Sequence, residues 1–410
     1  MKVAVVGGGL AGLAAALDLT DAGHAVTVYE ARPTLGGAVQ TLPEREGDPE
    51  PPPDNGQHIG LGCFTEYLGF LERIGEGSSF IRTRLALPVL DEHGTVAEIE
   101  PSLPALLRYR HLSLGDRIRI PLVTARCRNA RAEPDETFGH LLRRLGTSDA
   151  AIDRFWDVFV RPALNLRCDE VDAGAGLFTV RTALLGPRAN SDLILPTRPL
   201  GQMHGDAAGA AFEVAGGTVQ LDTRVASLDE LDADGVVVAV PPAESARLLG
   251  EDEPGLEDSP IVSVHLWFDR RLLDRPLAAL LGSDAHWVFD RGALTGSRPE
   301  RGQYLTVVSS GVPELLPVRG RELVEQIAGQ LTERLGDSEL LWSRVSREPY
   351  ATIALRPGTQ RPGPETSRPH VARAGTWTDT GWPATMESAI RSGRRAAQHI
   401  LSSTSATVRA

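Results

Sequence analysis

Three glycines near the start of the chain have the spacing of a phosphate-binding turn. Gly7, Gly9 and Gly12 form a Gly-x-Gly-x-x-Gly motif directly after a short apolar run. In such a motif the first glycine permits a tight turn, the second lets a pyrophosphate approach the backbone, and the third lets a helix pack closely on a strand. Leu10 and Ala11 begin that helix, whose free N–H groups and positive dipole end face the phosphates. The motif therefore predicts a dinucleotide-binding site.

An acidic residue follows at the distance that this motif requires. Glu30 ends the next apolar run, eighteen residues after Gly12. A carboxylate at this position accepts hydrogen bonds from a ribose 2′-hydroxyl, and its charge repels the additional phosphate of NADP. An ordinary strand-to-helix turn and a solvated surface acid are the competing interpretations. The glycines and Glu30 together favour a bound nucleotide.

The pattern of apolar residues predicts the strands and helices that position the glycine motif and Glu30. Four runs rich in valine predict β-strands, at residues 2–6, 25–29, 218–225 and 235–240. Residues 10–22 predict the helix of a βαβ unit, and a long helix is predicted to start near Pro383, because proline suits a first helical turn. Residues 43–54 contain five prolines and five acids, a composition that predicts a surface loop.

The length of the chain predicts more than one hydrophobic core. A chain of 410 residues exceeds the size of one ordinary domain. We expect an α/β fold in which a discontinuous nucleotide-binding domain is interleaved with an α+β substrate domain. The nucleotide-binding domain is assigned to residues 1–75, 207–255 and 350–410, and the substrate domain to residues 76–206 and 256–349.

Composition and charge exclude several classes of function. The formal net charge of -12 would repel a phosphate polymer, so nucleic acid is not expected as a partner. Three cysteines without a Cys-x-x-Cys spacing argue against a disulfide framework and fit the cytoplasm. No His, Cys or Asp cluster has metal-ligand spacing, so no metal is predicted. No apolar run approaches the ~18 residues of a membrane span.

Further blocks of residues, distributed over nearly the full length, are similar to the signature blocks of one flavoprotein family. They are Asp54-Asn55-Gly56-Gln57-His58, Cys63-Phe64-Thr65-Glu66-Tyr67, Arg224-Val225, Gly381-Trp382-Pro383-Ala384-Thr385-Met386-Glu387-Ser388-Ala389 and Ser392-Gly393. Together with Arg32 and the Leu35-Gly36-Gly37 turn, these blocks resemble the hydroxysqualene dehydroxylases, the squalene-associated branch of the amine oxidase flavoprotein superfamily.

This resemblance implies a cofactor and a fold. The cofactor is FAD, and the fold is a Rossmann-like FAD-binding domain of the amine oxidase and glutathione reductase type. The residues implied to hold FAD are Gly7, Gly9, Leu10, Ala11, Gly12, Glu30, Ala31, Arg32, Gly36, Gly37, Ala38, Gly56, Gln57, His58, Val225, Gly375, Thr376, Thr385 and Met386. The sequence departs from the family pattern twice: Ala38 stands where an arginine is usual, and Thr376 where an aspartate is usual.

The resemblance also implies a reaction, the conversion of hydroxysqualene to squalene by reduced FAD in the synthesis of squalene and hopanoids. The partners would be a long-chain isoprenoid substrate and an external reductant, either NAD(P)H or a redox protein. Asp54, His58 and Glu66, with the adjacent Tyr67, are the candidates for the proton donor. Amine-oxidising relatives often use a lysine near the flavin, and the only lysine here is Lys2. A carotenoid-type desaturase of polyenes and a catalytically degenerate FAD-binding protein remain alternatives.

One basic segment stands out in an otherwise acidic chain. Residues 103–131 contain seven arginines and one acid, Asp116, interleaved with leucine, isoleucine and valine. Such a segment can lie on an anionic bilayer, which would make the protein cytoplasmic and peripheral on the inner face of the cell membrane. A solvated arginine-rich helix is the alternative, and Pro121 is expected to break the amphipathic run.

Overall fold

The computed structural model describes the backbone of residues 1–407 and the side chains of residues 1–403. Within this range the strands are β1 (Lys2–Val6), β2 (Ala25–Tyr29), β3 (Gly60–Leu61), β4 (Phe80–Thr83), β5 (Leu87–Leu90), β6 (Val96–Ile99), β7 (Leu193–Pro196), β8 (Thr218–Gln220), β9 (Gly235–Val238), β10 (Asp258–Phe268), β11 (Leu277–Leu280), β12 (Trp287–Asp290), β13 (Gln303–Ser310), β14 (Leu340–Ile353) and β15 (Val371–Arg373).

The α-helices connect and cover these strands. They are α1 (Leu10–Asp21), α2 (Thr65–Arg73), α3 (Leu103–Arg108), α4 (Leu114–Cys127), α5 (Phe138–Arg144), α6 (Asp149–Ala151), α7 (Asp157–Leu164), α8 (Ala173–Thr179), α9 (Ala207–Val214), α10 (Pro242–Leu249), α11 (Arg291–Thr295), α12 (Gly320–Leu335) and α13 (Met386–Thr407). Three π-helical segments extend α6, α8 and α9: Ile152–Trp156, Val180–Leu184 and Gly201–Asp206.

A five-stranded parallel sheet contains the βαβ unit predicted from the sequence. Its strand order is β15-β9-β1-β2-β8, and the valines of β1 and β2 are buried because helices cover both faces of the sheet. The strands predicted at 218–225 and 235–240 are present but shorter. They are separated in the sheet, because β8 pairs with β2 at the edge and β9 lies between β15 and β1.

The helix α13 packs directly across α1. A Cβ atom added to Gly393 would lie 2.1 Å from the carbonyl oxygen of Ala11, so the two helices approach to a distance that only glycine allows. The helix begins at Met386, three residues after the predicted start. Thr385 caps it by accepting a hydrogen bond from the Ser388 N–H (3.4 Å), and Pro383 remains in the preceding loop.

A seven-stranded mixed sheet forms the second large layer, in the order β14-β10-β13-β12-β11-β5-β6. Its alternating residues separate into two faces. On β10, Val262, Val264 and Leu266 pack in the core that includes α12, whereas Ser263 and His265 are buried on the opposite face. A polar buried face on this sheet is unusual and bears on the site described below.

The domain boundaries assigned from the sequence stay a prediction. All five parallel strands come from residues 1–75, 207–255 and 350–410, whereas β14 (Leu340–Ile353) belongs to the seven-stranded sheet and extends past residue 350. Leu200 and Met203, which were assigned to the substrate domain, pack in the hydrophobic core around α1.

Two local expectations are corrected by the structure. The loop 43–54 is exposed only in its first part, because the side chains of Asp48 and Asp54 are buried in ion pairs with Arg344 and Arg291, each at 2.5 Å. Pro121 does not break the basic segment, since α4 continues through it to Cys127.

Candidate active site

The glycine turn at the carboxyl end of β1 has no room for side chains. Gly7 has a φ of +107°, and a Cβ atom there would lie 2.3 Å from the carbonyl oxygen of Ala239. A Cβ atom on Gly12 would lie 1.9 Å from the carbonyl oxygen of Gly7. Each of these glycines is therefore required by the close packing of α1 against β1 and the strand beside it.

Gly9 and Gly37 form the open edge of the same turn. A Cβ atom on Gly37 would lie 2.8 Å from the Cα atom of Gly9, whereas one on Gly9 would meet nothing closer than 3.6 Å. Gly9 precedes the first residue of α1 and offers no capping side chain. The first N–H groups of α1 therefore face a surface that bare backbone lines, which is the arrangement that binds a pyrophosphate.

The Glu30 carboxylate lies beside this turn. It accepts hydrogen bonds from the N–H groups of Gly8 (2.7 Å) and Arg32 (2.9 Å) and is buried. Two backbone N–H groups thus fix its orientation, and each oxygen retains a lone pair for a ribose hydroxyl. The N–H of Thr223 donates to the Glu30 carbonyl (2.8 Å), which brings the segment that ends at Val225 to the same place.

Asp54 is enclosed by partners. Its carboxylate accepts hydrogen bonds from the Thr41 hydroxyl (2.7 Å) and the Leu200 N–H (2.9 Å), and it pairs with Arg291 at 2.5 Å. Burial raises the pKa of Asp54, and the neighbouring Arg291 guanidinium opposes this effect. Arg291 also donates to the Gln57 side-chain oxygen (3.5 Å). The pair therefore fastens the Asp54–His58 block to the seven-stranded sheet.

His58 lies next to a buried Tyr67–His204 pair. The Leu200 carbonyl can only accept, so the Nδ1 of His204 donates to it (2.8 Å), and the Nε2 accepts from the Tyr67 hydroxyl (2.8 Å). Burial lowers the pKa of His204 to about 4, and burial together with His204 lowers the pKa of His58 to about 4. Both rings are neutral at pH 7.

Glu66 belongs to a different environment. It pairs with Arg394 of α13, and its N–H and that of Tyr67 donate to the Glu387 carboxylate (3.2 and 2.8 Å). This geometry anchors the start of α2 on α13. The three predicted acids are thus divided: Asp54 and His58 are linked through Leu200 and His204, whereas Glu66 lies at a helix contact. Their catalytic role stays a prediction.

A cavity of about 290 Å³ lies beside the loop that leads into α13. Its apolar lining includes Phe178, Leu355, Trp382 and Pro383, and its polar lining, which is about as large, includes Asp172, Arg356, Thr359 and Arg361. Arg361 donates to the carbonyl oxygen of Trp382 (2.7 Å) and so holds this loop in place. The cavity can accept an apolar group next to the N-terminus of the long helix.

The remaining predicted cofactor residues surround the same region. The Ala38 carbonyl accepts a hydrogen bond from Asn55 (2.8 Å), and a Cβ atom on Gly56 would lie 2.9 Å from the Ser263 hydroxyl. The N–H of Gly375 donates to Ser392 of α13 (3.0 Å), and Thr376 follows half-buried. The N-termini of both α1 and α13 thus lie on the carboxyl side of the parallel sheet, where an extended dinucleotide fits.

Two residues of the candidate site, His204 and Arg291, were not predicted from the sequence. Each lies more than 130 positions along the chain from the residue it contacts, Tyr67 or Asp54. Neither stands in a motif, and a lone histidine or arginine is ordinary in its surroundings. No local signal in the sequence could have identified them.

Comparison with known proteins agrees with this architecture. The family model for flavin containing amine oxidoreductases matches residues 10–401. The chain is 28% identical to a hydroxysqualene dehydroxylase of Sinorhizobium fredii, with 98% of this chain and 99% of that protein covered. It is 29% identical to one of Rhodopseudomonas palustris (97% and 98% covered) and 24% identical to a zeta-carotene desaturase of Zea mays (98% and 83% covered).

Solved structures show the same fold. An oxidoreductase from Methanosarcina mazei has a TM-score of 0.76 at 19% identity, with 96% of this chain and 99% of that chain covered. Cyclohexylamine oxidase from Brevibacterium oxydans has a TM-score of 0.70 at 18% identity, with 98% and 99% covered. The predicted α/β fold class and the FAD cofactor are confirmed. Because the family model spans almost the whole chain, this protein belongs to the flavin-containing amine oxidoreductase family and is an FAD-dependent oxidoreductase.

Proposed function

We propose that the protein removes the hydroxyl group of hydroxysqualene reductively and releases squalene. The observation that carries the proposal is the cavity beside Trp382 and Pro383, where apolar side chains form part of the wall next to the start of α13. It accompanies full-length similarity to two hydroxysqualene dehydroxylases. Amine-oxidising relatives often use a lysine near the flavin. Here the only lysine, Lys2, pairs with Asp232 at the amino end of β1, which is the opposite end from the glycine turn. This position favours a reaction other than amine oxidation.

The reaction replaces a C–O bond by a C–H bond. The substrate hydroxyl takes one proton and leaves as water, and the allylic carbon takes a hydride, so the balance is R–OH + H⁺ + H⁻ → R–H + H₂O. Reduced FAD, when bound, supplies the hydride. We infer that NAD(P)H or a redox protein restores the reduced cofactor, and that the protein works in the cytoplasm at the inner face of the membrane.

The chain would contribute position, a dry environment and a proton. Gly9, Gly37 and Glu30 would hold the cofactor's pyrophosphate and ribose, and the N-terminus of α13 would stabilise negative charge at the flavin end. Phe178 and Trp382 would exclude water from the allylic group. Among the candidate donors, His58 is the one whose side chain forms no hydrogen bond with a described residue. Because its ring is neutral at pH 7, it must first take up a proton to act as this acid, so the rate should rise as the pH falls towards 4.

The proposal can be tested with chemically reduced, FAD-loaded protein under anaerobic conditions. Hydroxysqualene is added, flavin absorbance is followed, and the product is identified by mass spectrometry. Flavin reoxidation with squalene formed in step supports the proposal. A flavin that stays reduced contradicts it. Oxidised protein that then desaturates a polyene would identify a desaturase, and no turnover of either substrate would identify an FAD-binding protein.

A variant tests the assignment of His58. We expect His58→Ala to retain FAD but to lose about 100-fold in the rate of reoxidation by hydroxysqualene, the usual size of a general-acid contribution. Glu66→Gln serves as the matched control, because Glu66 pairs with Arg394 at the contact of α2 with α13. Equal rates for His58→Ala and the parent protein would remove His58 from the mechanism.

A further inference from the structure

Five large apolar side chains are exposed together on α3 and α4. They are Leu103, Leu107, Leu114, Ile118 and Leu122, with exposures from 39 to 63%. The three on α4 are spaced four residues apart, so they form one ridge along the solvent side of the helix. The opposite side of α4, with Ile120 and Val123, packs in the protein core. We call these five residues the apolar ridge.

The apolar ridge is surrounded by positive charge. Seven arginines lie within residues 103–131, and none of them forms an ion pair with a carboxylate among the described side chains. Arg108, Arg110, Arg119 and Arg128 are exposed. The segment's one acid, Asp116, is buried and accepts hydrogen bonds from Ser113 and Ser148 (2.6 and 2.8 Å). This surface is therefore basic on a protein of net charge -12.

We propose that α3 and α4 lie flat on an anionic lipid bilayer, with the apolar ridge inserted among the acyl chains and the arginines on the phosphate groups. Among the described residues no helix is long and apolar enough to cross a membrane. A second copy docked symmetrically on the same surface would bring the two sets of arginines together, and their like charges would repel. An anionic bilayer instead buries the apolar side chains among its acyl chains and pairs the arginines with its phosphate groups.

The surface is one helix away from the cavity. Phe178 of α8 lines the cavity, and the π-helical continuation of α8 reaches α4. There Arg181 donates to the carbonyl oxygen of Cys127 (2.9 Å) and to that of Ala130. Docking would thus place the cavity close to the layer in which a long isoprenoid dissolves. This link to substrate delivery rests on the proposed function, whereas the docking itself does not.

Vesicle flotation with full-length, FAD-loaded protein tests the docking. The vesicles are phosphatidylcholine alone, or equal parts of phosphatidylcholine and phosphatidylglycerol. We expect the parent protein to bind the anionic vesicles about tenfold more tightly, and added salt to weaken binding. The triple variant Leu114→Ser, Ile118→Ser, Leu122→Ser should lose most of this binding, and so should Arg108→Gln combined with Arg110→Gln and Arg119→Gln.

Exposed apolar residues elsewhere supply the control. Val214→Ser with Tyr350→Ser removes two side chains that are 91% and 79% exposed outside the apolar ridge, and this variant should bind as the parent does. Flavin absorbance and thermal melting confirm that every variant is folded. Arg117 is left unchanged, because it donates to the carbonyl oxygens of Leu112 and Leu107 and so fastens α3 to α4.

Three results would overturn the docking proposal: no flotation of the parent protein, equal flotation of the ridge variant and the control, or a lipid-free dimer that the ridge variant abolishes. The flotation assay contains no substrate, so its outcome is independent of the proposed reaction. If the reaction is correct, the ridge variant should also turn over hydroxysqualene normally in detergent micelles but slowly on vesicles.

Discussion

Glu30 orders the glycine turn in the structure, and it is also the residue predicted to meet the ribose. Its carboxylate is held in one orientation by hydrogen bonds that it accepts from the N–H groups of Gly8 and Arg32. Pre-orientation of this kind lowers the ordering cost of binding a cofactor. The motif predicted the ribose acceptor from spacing alone, whereas its contacts to the turn became evident only in three dimensions.

Replacing Glu30 should therefore weaken cofactor binding. For Glu30→Ala we expect the Kd for FAD to rise about 10- to 100-fold, because a hydrogen bond to a charged group contributes ~1.5–3 kcal/mol. Fluorescence titration of the apoprotein with FAD measures the change. Glu30→Gln, which keeps one acceptor oxygen, should have an intermediate Kd. An unchanged Kd in the alanine variant would show that Glu30 does not hold the ribose.

His204 is a second residue whose surroundings have a measurable consequence. Its pKa in the folded protein is lowered from 6.5 to about 4. In the unfolded chain the ring takes up a proton below about pH 6.5, so the stability that the neutral ring confers is present above that pH. It is lost as the pH falls from 6.5 towards 4. His58, His265 and His286 have pKa values lowered in the same direction.

We expect the destabilisation caused by His204→Gln to shrink on acidification. Between pH 6.5 and pH 5 the parent protein should lose about 2 kcal/mol that the variant does not, because each pH unit in this window corresponds to ~1.36 kcal/mol per proton. Urea unfolding of both proteins at several pH values gives the difference. His140→Gln, at an exposed position on α5, is the control. A difference that does not change with pH would contradict this account.

At the scale of the elements, α1 and α13 contact each other directly beside the candidate cofactor site. Gly393 lies against the carbonyl oxygen of Ala11 in the first turn of α1, which is the turn predicted to face the pyrophosphate. The sequence identified both helices from composition and from the family blocks. It could not show that they cross, because the close approach joins residues that are distant in the chain.

A methyl group at position 393 should disturb both stability and cofactor binding. For Gly393→Ala we expect a loss of ~1–3 kcal/mol from overpacking and weaker FAD binding, since α1 must shift away. Thermal melting and FAD titration measure the two effects. Gly329→Ala is the matched control, because Gly329 lies inside α12 with no atom within 4 Å of an added Cβ. At position 329 the higher helix propensity of alanine should raise the free energy of unfolding by up to ~1 kcal/mol. Similar melting for both variants would refute the close crossing.

At the scale of the whole molecule, two buried ion pairs connect the loop 43–54 to the seven-stranded sheet. Asp54 pairs with Arg291, and Asp48 with Arg344. These contacts place the polar face of β10 behind the Asp54–His58 block. The proline-rich composition of the loop predicted a solvated bulge. It gave no indication of the two buried ion pairs, because the burial of each aspartate depends on an arginine that is distant in the chain.

Replacing one partner of the Asp54–Arg291 pair should lower the free energy of unfolding more than replacing both partners. We expect Arg291→Met to destabilise the protein by ~3–5 kcal/mol, since it leaves the Asp54 carboxylate buried without its partner. The double variant with Asp54→Asn should lose less stability than Arg291→Met alone, because no buried charge is left unpaired. Urea unfolding of the four proteins provides the cycle. Arg321→Ala removes an exposed pair with Glu325 and should change stability by less than ~1 kcal/mol. Additive effects at Asp54 and Arg291 would contradict the coupling.

The resemblance to a flavoprotein family indicated the FAD cofactor, and the sequence by itself determined the βαβ unit, the glycine turn, the position of Glu30 and the final helix. Each depends on a local requirement: a glycine where a Cβ atom cannot fit, an acid at the end of a strand, or an apolar period that suits one element. The tertiary structure decided what depends on distant partners. It placed His204 against Tyr67, Arg291 against Asp54, and α13 across α1. It also left the apolar ridge of α3 and α4 exposed, because exposure depends on which neighbours the fold brings to a surface, and no local pattern specifies them.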